Sequence, residues 1–152
     1  MVQVYKLLDS IKDKLRANPN VHTVSFGDIT DVDLANTTIY PLVHFNIDNA
    51  VISDRTITFN IQVMACDIVD YSKDYAQGDI FYGNDNKHEI LNTQLQVIND
   101  VIMHLRRGSL YDEQMFLSSD VTATPFLERF KDMVAGWGVD IPITMKNDFG
   151  LC

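Results

Sequence analysis

The sequence predicts an α+β domain in which a mixed, mainly antiparallel sheet packs against two main helices. Residues 56–66 alternate strictly between apolar and polar side chains, which is typical of a long antiparallel strand with one wet face. Residues 2–17 and 87–107 instead repeat their apolar positions every three or four residues, as amphipathic helices do. A chain of 152 residues with 46% hydrophobic content can form a single domain, residues 1–152, around one core. The predicted order of elements is helix, three strands, helix and two strands.

The first predicted helix, residues 2–17, has an apolar side and a defined end. Val4, Leu8, Ile11 and Leu15 fall on one face, while the charged side chains of the segment fall on the other. Pro19 follows within an Asn-Pro-Asn sequence, and proline cannot continue the helical hydrogen-bond ladder. The helix is therefore expected to end before it.

Three strands are predicted to follow. Residues 21–27 form a short strand candidate, and residues 28–38 form a polar, acidic loop. Residues 41–47 form the second strand, and the Asp-Asn-Ala sequence at 48–50 supplies turn residues. The third strand is the alternating stretch 56–66, whose predicted apolar face consists of Ile57, Phe59, Ile61, Val63 and Ala65.

A long polar loop is predicted before the second helix. Loops as long as residues 70–86 are uncommon in compact domains unless they bind something or are flexible. Asn86 can cap the helix with Glu89 as its reciprocal partner, and Gly108 is placed to end it. The predicted apolar stripe of this helix consists of Ile90, Leu91, Leu95, Ile98, Val101, Ile102 and Leu105.

The C-terminal third is predicted to complete the sheet. Residues 115–117 and 121–124 are short strand candidates, and residues 125–132 are a candidate helical turn. Residues 139–145 alternate again and are predicted to form a closing strand. Because Pro142 lacks a backbone donor, this strand is expected to lie at a sheet edge or to carry a bulge.

The charge balance of the chain argues against some classes of function. Twelve lysines and arginines face 21 aspartates and glutamates, which gives a net charge of −9. Nucleic-acid binding depends on neutralising phosphates with basic side chains, so a DNA reader is not expected. The only basic doublet, Arg106–Arg107, is interpreted as complementing the dipole at a helix end. No apolar run reaches the roughly 18 residues that span a bilayer, and the N-terminus lacks the pattern of a signal peptide.

No arrangement of residues predicts a catalytic or metal site. His88–Glu89 begins like a zinc-protease helix, but Asn92 occupies the position of the second histidine. Asp28, Asp31 and Asp33 form an acidic loop that lacks the glycine and the terminal glutamate of a calcium loop. The chain is therefore predicted to be non-enzymatic and to carry no cofactor and no metal.

The cysteines and two of the histidines are interpreted without a chemical role. Cys66 lies in an apolar strand and Cys152 ends the sequence, which makes neither a disulfide framework nor a zinc site. Cys66 is predicted to be a small core residue with no adjacent cation to activate it. His22 and His44 could titrate together across two strands, although we favour two unrelated surface histidines.

Three segments of the chain resemble a family of small structural proteins of tailed bacteriophages. They are YPLVHFNIDNAVISDRTITFNIQVMACDIVD, HEILNTQLQVINDVIMHL and VAGWGVDIPITMKNDFGLC, and their most recognisable pieces are DIVD at 67–70, EIL at 89–91 and AGW at 135–137. The resemblance covers most of the chain, from about residue 21 to residue 152. The proteins that the chain resembles are tail-terminator, tail-completion and neck subunits, which lie where the phage head meets the tail.

The resemblance implies a structural protein of the virion, assembled in the host cytoplasm, with no catalytic residue and no membrane contact. Such a subunit would form a homo-oligomeric ring around the channel through which DNA passes without specific binding, and the long loop and extended, unpaired sheet edges are the surfaces predicted to join the subunits. Its partners would be copies of itself and neighbouring neck, portal or tail proteins. Whether the ring is a tail terminator or a head–tail connector stays open, as does a component of a secretion or virulence machine related to phage tails.

The long loop supplies the predicted subunit-interface residues. It carries four aromatic side chains in an otherwise polar stretch, Tyr71, Tyr75, Phe81 and Tyr82. Aromatic side chains are enriched at the cores of protein interfaces, which favours contact with a neighbouring subunit. The alternative is that these side chains fold back and cover the sheet.

Two further hypotheses concern the acidity and a different class of function. Carboxylates on the wall of a ring would repel DNA phosphates, although acidity spread evenly for solubility is the alternative. A small ligand-binding or enzymatic α+β domain would instead need a pocket with converging polar groups. The place predicted for it is near His22, His44 and the acidic loop at 28–33.

Overall fold

A five-stranded mixed sheet organises the part of the chain that the structure, a computed structural model, describes: residues 3–34, 36–70, 85–117, 119–128 and 134–148. Two long helices pack against this sheet, so the predicted α+β class and the predicted order of the main elements are confirmed. The helices are α1 (Gln3–Arg16), α2 (Asp85–Arg107) and the short α3 (Ser109–Asp112), and the strands are β1 (Thr23–Phe26), β2 (Leu42–Ile52), β3 (Thr56–Ile68), β4 (Ala123–Glu128) and β5 (Val134–Lys146).

The strand order in the sheet is β1-β2-β3-β5-β4. β1 runs parallel to β2, and all other neighbours are antiparallel. The central strand β3 pairs with β5 along its whole length, from Thr56↔Lys146 to Ile68↔Val134. Sheet edges are therefore formed by β1 and β4, and by β2 beyond the point where β1 ends.

One face of the sheet is buried beneath α1 and α2. The side chains predicted for the apolar face of β3 are all buried, because a strand places alternate residues on the same side. The helices complete this main core with Leu7, Ile11, Leu15, Val97, Ile98, Val101, Ile102 and Leu105. No helix among the described residues is long and apolar enough to cross a membrane.

A tryptophan joins α2 to the sheet. Trp137 of β5 donates its indole Nε1–H to the carbonyl oxygen of Leu91 at 2.7 Å. Ile90, on the same part of the helix, packs with Val69 and Ala135 in a small buried cluster. These contacts fix the N-terminal half of α2 where β3 ends and β5 begins.

Among the described residues, the opposite face of the sheet is covered at one end only. There residues 32–34 and 36–40 fold over the strands, and a second, smaller core forms from Tyr40, Leu42, Cys66, Phe126 and Val134. The Tyr40 hydroxyl donates to the carbonyl oxygen of Leu34 at 2.8 Å and so fastens this segment to itself. Beyond this cover, the same face forms the floor of an open cleft.

The second strand is longer than predicted, and the turn predicted at 48–50 is wrong. β2 continues through these residues to Ile52, and the hairpin turn lies at 53–55. A β-bulge between Ile47 and Asn49 shifts the register by one residue. The bulge therefore interrupts the apolar alternation without ending the strand.

The C-terminal third differs from prediction in two places. The helical turn predicted at 125–132 is wrong for its first part, because β4 runs from Ala123 to Glu128; residues 129–133 lie outside the described residues. The strand predicted at 115–117 is reduced to one isolated bridge, Phe116↔Thr144.

The ends of α2 differ from prediction in detail. The helix begins at Asp85, so Asn86 lies within its first turn and is not its N-cap. The Asn86 Oδ1 instead accepts a hydrogen bond from the N–H of Asp70 at 2.6 Å, which ties the chain after β3 to the start of the helix. Gly108 follows the last helical residue as predicted, but its φ of −125° is not left-handed.

The apolar stripe predicted for α2 is wrong at one position. Leu95 is 39% exposed, whereas Gln94 and Val97 are fully buried. Gln94 has no hydrogen-bond partner for its amide among the described residues. A buried amide was not expected in this helix, because periodicity arguments assign buried positions to apolar residues.

Pro142 lies in an interior strand, but at a position that is locally an edge. β5 is flanked by β3 and β4, yet β4 pairs only with residues 136–139. Thr144 donates its N–H to Phe116 on the side away from β3. Because N–H groups two residues apart in a strand point the same way, the donor missing at Pro142 would have pointed to this open side. The predicted edge position is therefore correct for Pro142 itself. It is wrong for β5 as a whole, because this strand lies inside the sheet.

Candidate functional site

The aromatic side chains predicted to form the subunit interface, Tyr71, Tyr75, Phe81 and Tyr82, lie outside the described residues. Their role therefore stays a prediction. The described residues present two other candidate surfaces, the open edge of β2 and the cleft on the uncovered face of the sheet. The sequence predicted that the sheet has an unpaired edge. It did not show which strand provides this edge, because the apolar alternation of the second strand breaks at residue 48.

The outer edge of β2 from residue 46 to residue 52 pairs with no strand of the described chain. β1 ends at the pair Phe26↔Phe45, whereas the inner edge of β2 continues to pair with β3 as far as Ile52↔Ile57. We call this stretch, Asn46–Ile52, the open edge. Since β2 is held firmly from one side only, its other side is available to an added strand.

Backbone groups of the open edge point away from the sheet. Across the hairpin, Ser53 donates its N–H to the carbonyl oxygen of Thr56 at 2.9 Å. Peptide groups of an antiparallel strand alternate in direction, so those of Ile52 and Ala50 point outward. Unpaired donors and acceptors in this arrangement are a template for β-strand addition by another chain.

The side chains of the open edge are largely apolar and exposed. Val51 is 59% exposed and Ile52 is 73% exposed. Edge strands are commonly protected by lysine, by proline or by a bulge. Within the open edge the protective features are confined to Asp48, which supplies the bulge and an exposed carboxylate, whereas the opposite edge strand, β4, carries Pro125.

The hairpin that carries the open edge is tied down at its tip. Asn147, just after β5, donates its N–H to the carbonyl oxygen of Arg55 at 2.8 Å and its Nδ2–H to that of Ser53 at 3.0 Å. The Ser53 hydroxyl also lies 2.8 Å from the Thr56 hydroxyl. These bonds hold the end of β2 in place, which lowers the entropic cost of pairing with a partner.

The cleft on the uncovered face of the sheet has a volume of about 750 Å³. The segments 27–29 and 122–126 form its sides. Its floor consists of side chains in register across neighbouring strands: Asn46, Gln62 and Asp140 in one row, and His44, Met64, Gly138 and Thr124 in the next. The polar face predicted for β3 is therefore the middle of this floor.

His44 is buried at one side of the cleft and has a structural role. Its Nε2 lies 2.8 Å from the carbonyl oxygen of Gly27, which can only accept, so Nε2 carries a proton. In the neutral ring Nδ1 then accepts from the Ser25 hydroxyl, also at 2.8 Å. The imidazole thus fastens β1 and the turn after it to β2. The predicted surface position is wrong for His44, while His22 is exposed.

A hydroxyl beside an oriented imidazole is also the arrangement of an activated nucleophile. Ser25, however, is not among the residues that line the cleft. The two residues are direct neighbours in the register of β1 and β2. The attachment of a four-residue edge strand therefore accounts for their hydrogen bond without a catalytic role.

The acidic loop begins beside the cleft. The Asp28 Oδ1 accepts the N–H of Thr30 at 3.0 Å and so caps the 3₁₀ turn Ile29–Asp31. This hydrogen bond holds the pKa of Asp28 below its usual value, with a smaller contribution from the nearby His44 ring. Asp31 and Asp33 are exposed. Among the described residues, no group of three histidine, cysteine or acidic side chains is placed to hold a metal ion.

Burial raises the pKa values of three titratable groups at the covered end of the sheet, Tyr40, Cys66 and Asp67. Burial raises the pKa of the Cys66 thiol to about 12, so the thiolate is scarce at neutral pH. Cys66 is fully buried, which confirms the prediction of a core residue. Burial also raises the pKa of Asp67, although the N–H of Ile68, 2.7 Å from its Oδ1, opposes the rise.

The basic doublet lies in the last turn of α2, as predicted. Arg106 donates to the carbonyl oxygen of Ser119 at 2.7 Å and lies 3.6 Å from the carboxylate of Asp120. It therefore also anchors the segment that leads into β4. No protein-family model matches the chain, and a search of curated proteins finds no match.

Proposed function

We propose that this chain is a structural subunit of a tailed-phage virion that forms a ring at the head–tail junction or the tail end. The observation that carries the proposal is the open edge, Asn46–Ile52, with its outward peptide groups and exposed apolar side chains. The sequence segments that resemble neck and tail-terminator subunits support it. A ring subunit needs two different surfaces that match each other, and an unpaired edge can be one of them.

Strand directions favour a head-to-tail arrangement of subunits. β3 and β4 are both antiparallel to β5, so β4 runs in the same direction as β3 and opposite to β2. When two copies are placed side by side in the same orientation, β4 of one copy lies antiparallel to the open edge of the next. Antiparallel pairing is slightly more stable per residue than parallel pairing, and such a contact closes into a ring if its rotation closes.

The test changes the open edge and leaves the fold alone. We expect the double variant V51K/I52K to prevent ring formation, because two charges on an edge strand oppose strand addition. The matched control is V4K/Y5K, which adds the same charge at two exposed positions of α1. Light scattering of the purified proteins and electron microscopy of particles from producing cells measure assembly.

The outcomes separate the proposal from its alternatives. Loss of rings and of particle incorporation in V51K/I52K, but not in the control, supports the open edge as the interface. Wild-type chain that never enters a particle, even with its neighbours present, contradicts the proposed function. Alanine at Tyr71, Tyr75 and Tyr82 tests the long loop separately, with impaired assembly of a folded subunit as the expected result.

The second candidate function is a small-ligand site, and the cleft is the observation in its favour. Small-molecule sites bury most of the ligand and are lined mainly by apolar groups. This cleft is open, and polar side chains such as Asn46, Gln62 and Asp140 form much of its floor. A saturable thermal shift with a metabolite set, lost on blocking the cleft, would favour this function over the ring.

A further inference from the structure

We propose that the cleft on the uncovered face of the sheet binds a basic polypeptide segment of a partner protein. The cleft lies on the face opposite α1 and α2, and the exposed apolar residues of the open edge, Val51 and Ile52, do not line it. The inference therefore goes beyond ring formation and does not depend on it. Charge, hydrogen-bonding groups and the shape of the floor each support it.

The fixed charges of the cleft have one sign. Among the described residues that line it, Asp28 and Asp140 carry carboxylates, and none is a lysine or an arginine. Asp140 is exposed on β5 and forms no ion pair with a described residue. Both ring nitrogens of His44 are hydrogen-bonded to Gly27 and Ser25, so the two carboxylates are the charged groups whose atoms a ligand can reach. The complementary ligand is cationic.

The polar side chains of the floor suit an arginine and the peptide groups beside it. Asn46, Gln62 and Asp140 lie in register on three adjacent strands. Neighbouring strands are about 4.8 Å apart, so this row spans roughly 10 Å. A guanidinium donates to a carboxylate and an amide oxygen in one plane, while the remaining amide groups can bind a peptide backbone. Thr122 and Thr124 add hydroxyls at the side of the cleft.

The shape of the cleft favours a chain segment over a small molecule. It is an open cleft, so a small ligand would stay largely in water, whereas a polypeptide can lie in it and continue beyond it, away from the covered end of the sheet. Gly138 lies in the middle of the floor, and a Cβ built there would meet no atom within 4 Å. A glycine inside a strand often marks a place where another backbone approaches closely.

The experiment fills the cleft without changing its charge. The probe is a fluorescein-labelled peptide of alternating arginine and threonine, and the same peptide with glutamate in place of arginine is the comparison. We expect saturable binding of the arginine peptide by fluorescence anisotropy. The variant G138L should weaken it about tenfold or more, because its side chain occupies the floor that the peptide needs.

Charge variants provide the matched comparison. D140N and D28N should each weaken binding about threefold, whereas D112N, which removes one carboxylate on α3 far from the cleft, should leave it unchanged. If G138L does not fold, Q62R replaces it, since an arginine on the floor pairs with Asp140 and competes with the peptide. Thermal unfolding of each variant establishes which ones fold.

Three results would overturn the inference. The first is absence of saturable binding by the wild-type chain. The second is equal binding by wild type and by G138L, or by Q62R where it replaces G138L, which would assign the affinity to the net charge of −9. The third is a change of oligomeric state in G138L, which would make the cleft a contact between copies of this chain. Failure of ring formation in the edge experiment would leave all three outcomes unaffected.

Discussion

At the residue scale, the most informative positions are those whose burial differs from the burial that the surrounding sequence predicts. His44 alternates with the apolar residues Val43 and Phe45 of β2, yet it is only 7% exposed because β1 and its following turn cover it. Single-sequence patterns show which face of a strand a side chain occupies, but they do not show what lies across that face. Cys66, which lies on the same face of the sheet as His44 but at its covered end, was assigned correctly because an apolar run surrounds it.

Asp67 and Asp28 provide a prediction in which two carboxylates have opposite effects on stability. Burial raises the pKa of Asp67 above its ordinary 3.8, so ionisation of this group lowers the stability of the folded state as pH rises through that range. D67N keeps the acceptor for the Ile68 N–H and removes the charge. We therefore expect D67N to raise the urea midpoint at pH 7 and to have no such benefit at a pH of about 3, where the carboxyl is protonated in both states.

Asp28 is the contrasting case. A hydrogen bond from Thr30 lowers its pKa, so the carboxylate contributes stability that is present above 3.8 and lost as pH falls through the lower folded value. D28N should lower the urea midpoint at pH 7. Equal effects of D67N and D28N at pH 7 would contradict the assigned environments.

At the element scale, the sequence predicted well where one periodicity ran unbroken. β3 alternates from residue 56 to residue 63, and α1 keeps its three- and four-residue spacing, so both were placed to within a few residues. The predicted apolar face of α1 is wrong at Val4, which is 42% exposed, whereas Leu7 is fully buried. β2 was cut short because the bulge beside Asp48 moves the next apolar residue, Ala50, out of the alternation. A bulge depends on the partner strand, and no local pattern in a single sequence reports it.

Residues 125–128 of β4 and the apolar stripe of α2 show a second limit of sequence reasoning. Pro125 suggested a helical start, since proline is favoured in the first turn of a helix, but it also fits an edge strand. Leu95 was assigned to the core from its periodicity, yet the buried face of α2 is turned so that Gln94 points inward. The docking of α2 through Trp137 and Leu91 sets that rotation, and it is a tertiary contact.

The spacing of β3 and β5 gives a prediction based on two glycines in one strand. A Cβ at Gly136 would overlap the carbonyl oxygen of Ala65 and lie 2.8 Å from the Cα of Cys66. G136A should therefore lower the free energy of unfolding by more than about 2 kcal/mol, because backbone of the neighbouring strand has to move.

Gly138, two residues on and facing the cleft, is the control. A Cβ there meets no atom within 4 Å, so G138A should change the free energy of unfolding by less than about 1 kcal/mol. Urea unfolding of both variants measures the difference. Comparable losses in the two variants would show that glycine is needed in this strand for a reason other than contact with β3.

At the scale of the whole molecule, three surfaces are distributed around one sheet. The helices cover one face, the cleft opens on the other, and the open edge lies along β2. A subunit that pairs through its edges leaves the cleft face of its sheet available to other proteins. The proposed ring contact and the proposed cleft ligand are therefore compatible in one assembly, and variants at Ile52 and Gly138 can test them separately.

The net charge of −9 gives the last prediction, which concerns DNA. The proposed ring surrounds a channel through which DNA passes, and a wall rich in carboxylates repels phosphates. We expect neither the subunit nor the assembled ring to retard a duplex of about 30 base pairs in a gel at low salt, where phosphate binding is strongest. Reversing the charge of exposed residues of one surface at a time, beginning with D54K and D112K, then identifies any surface that faces the channel, because retardation would appear only in rings with that surface inside. Retardation by the wild-type ring, weakening steeply as salt is added, would show that basic residues line the channel and would remove the idea of a repelling wall.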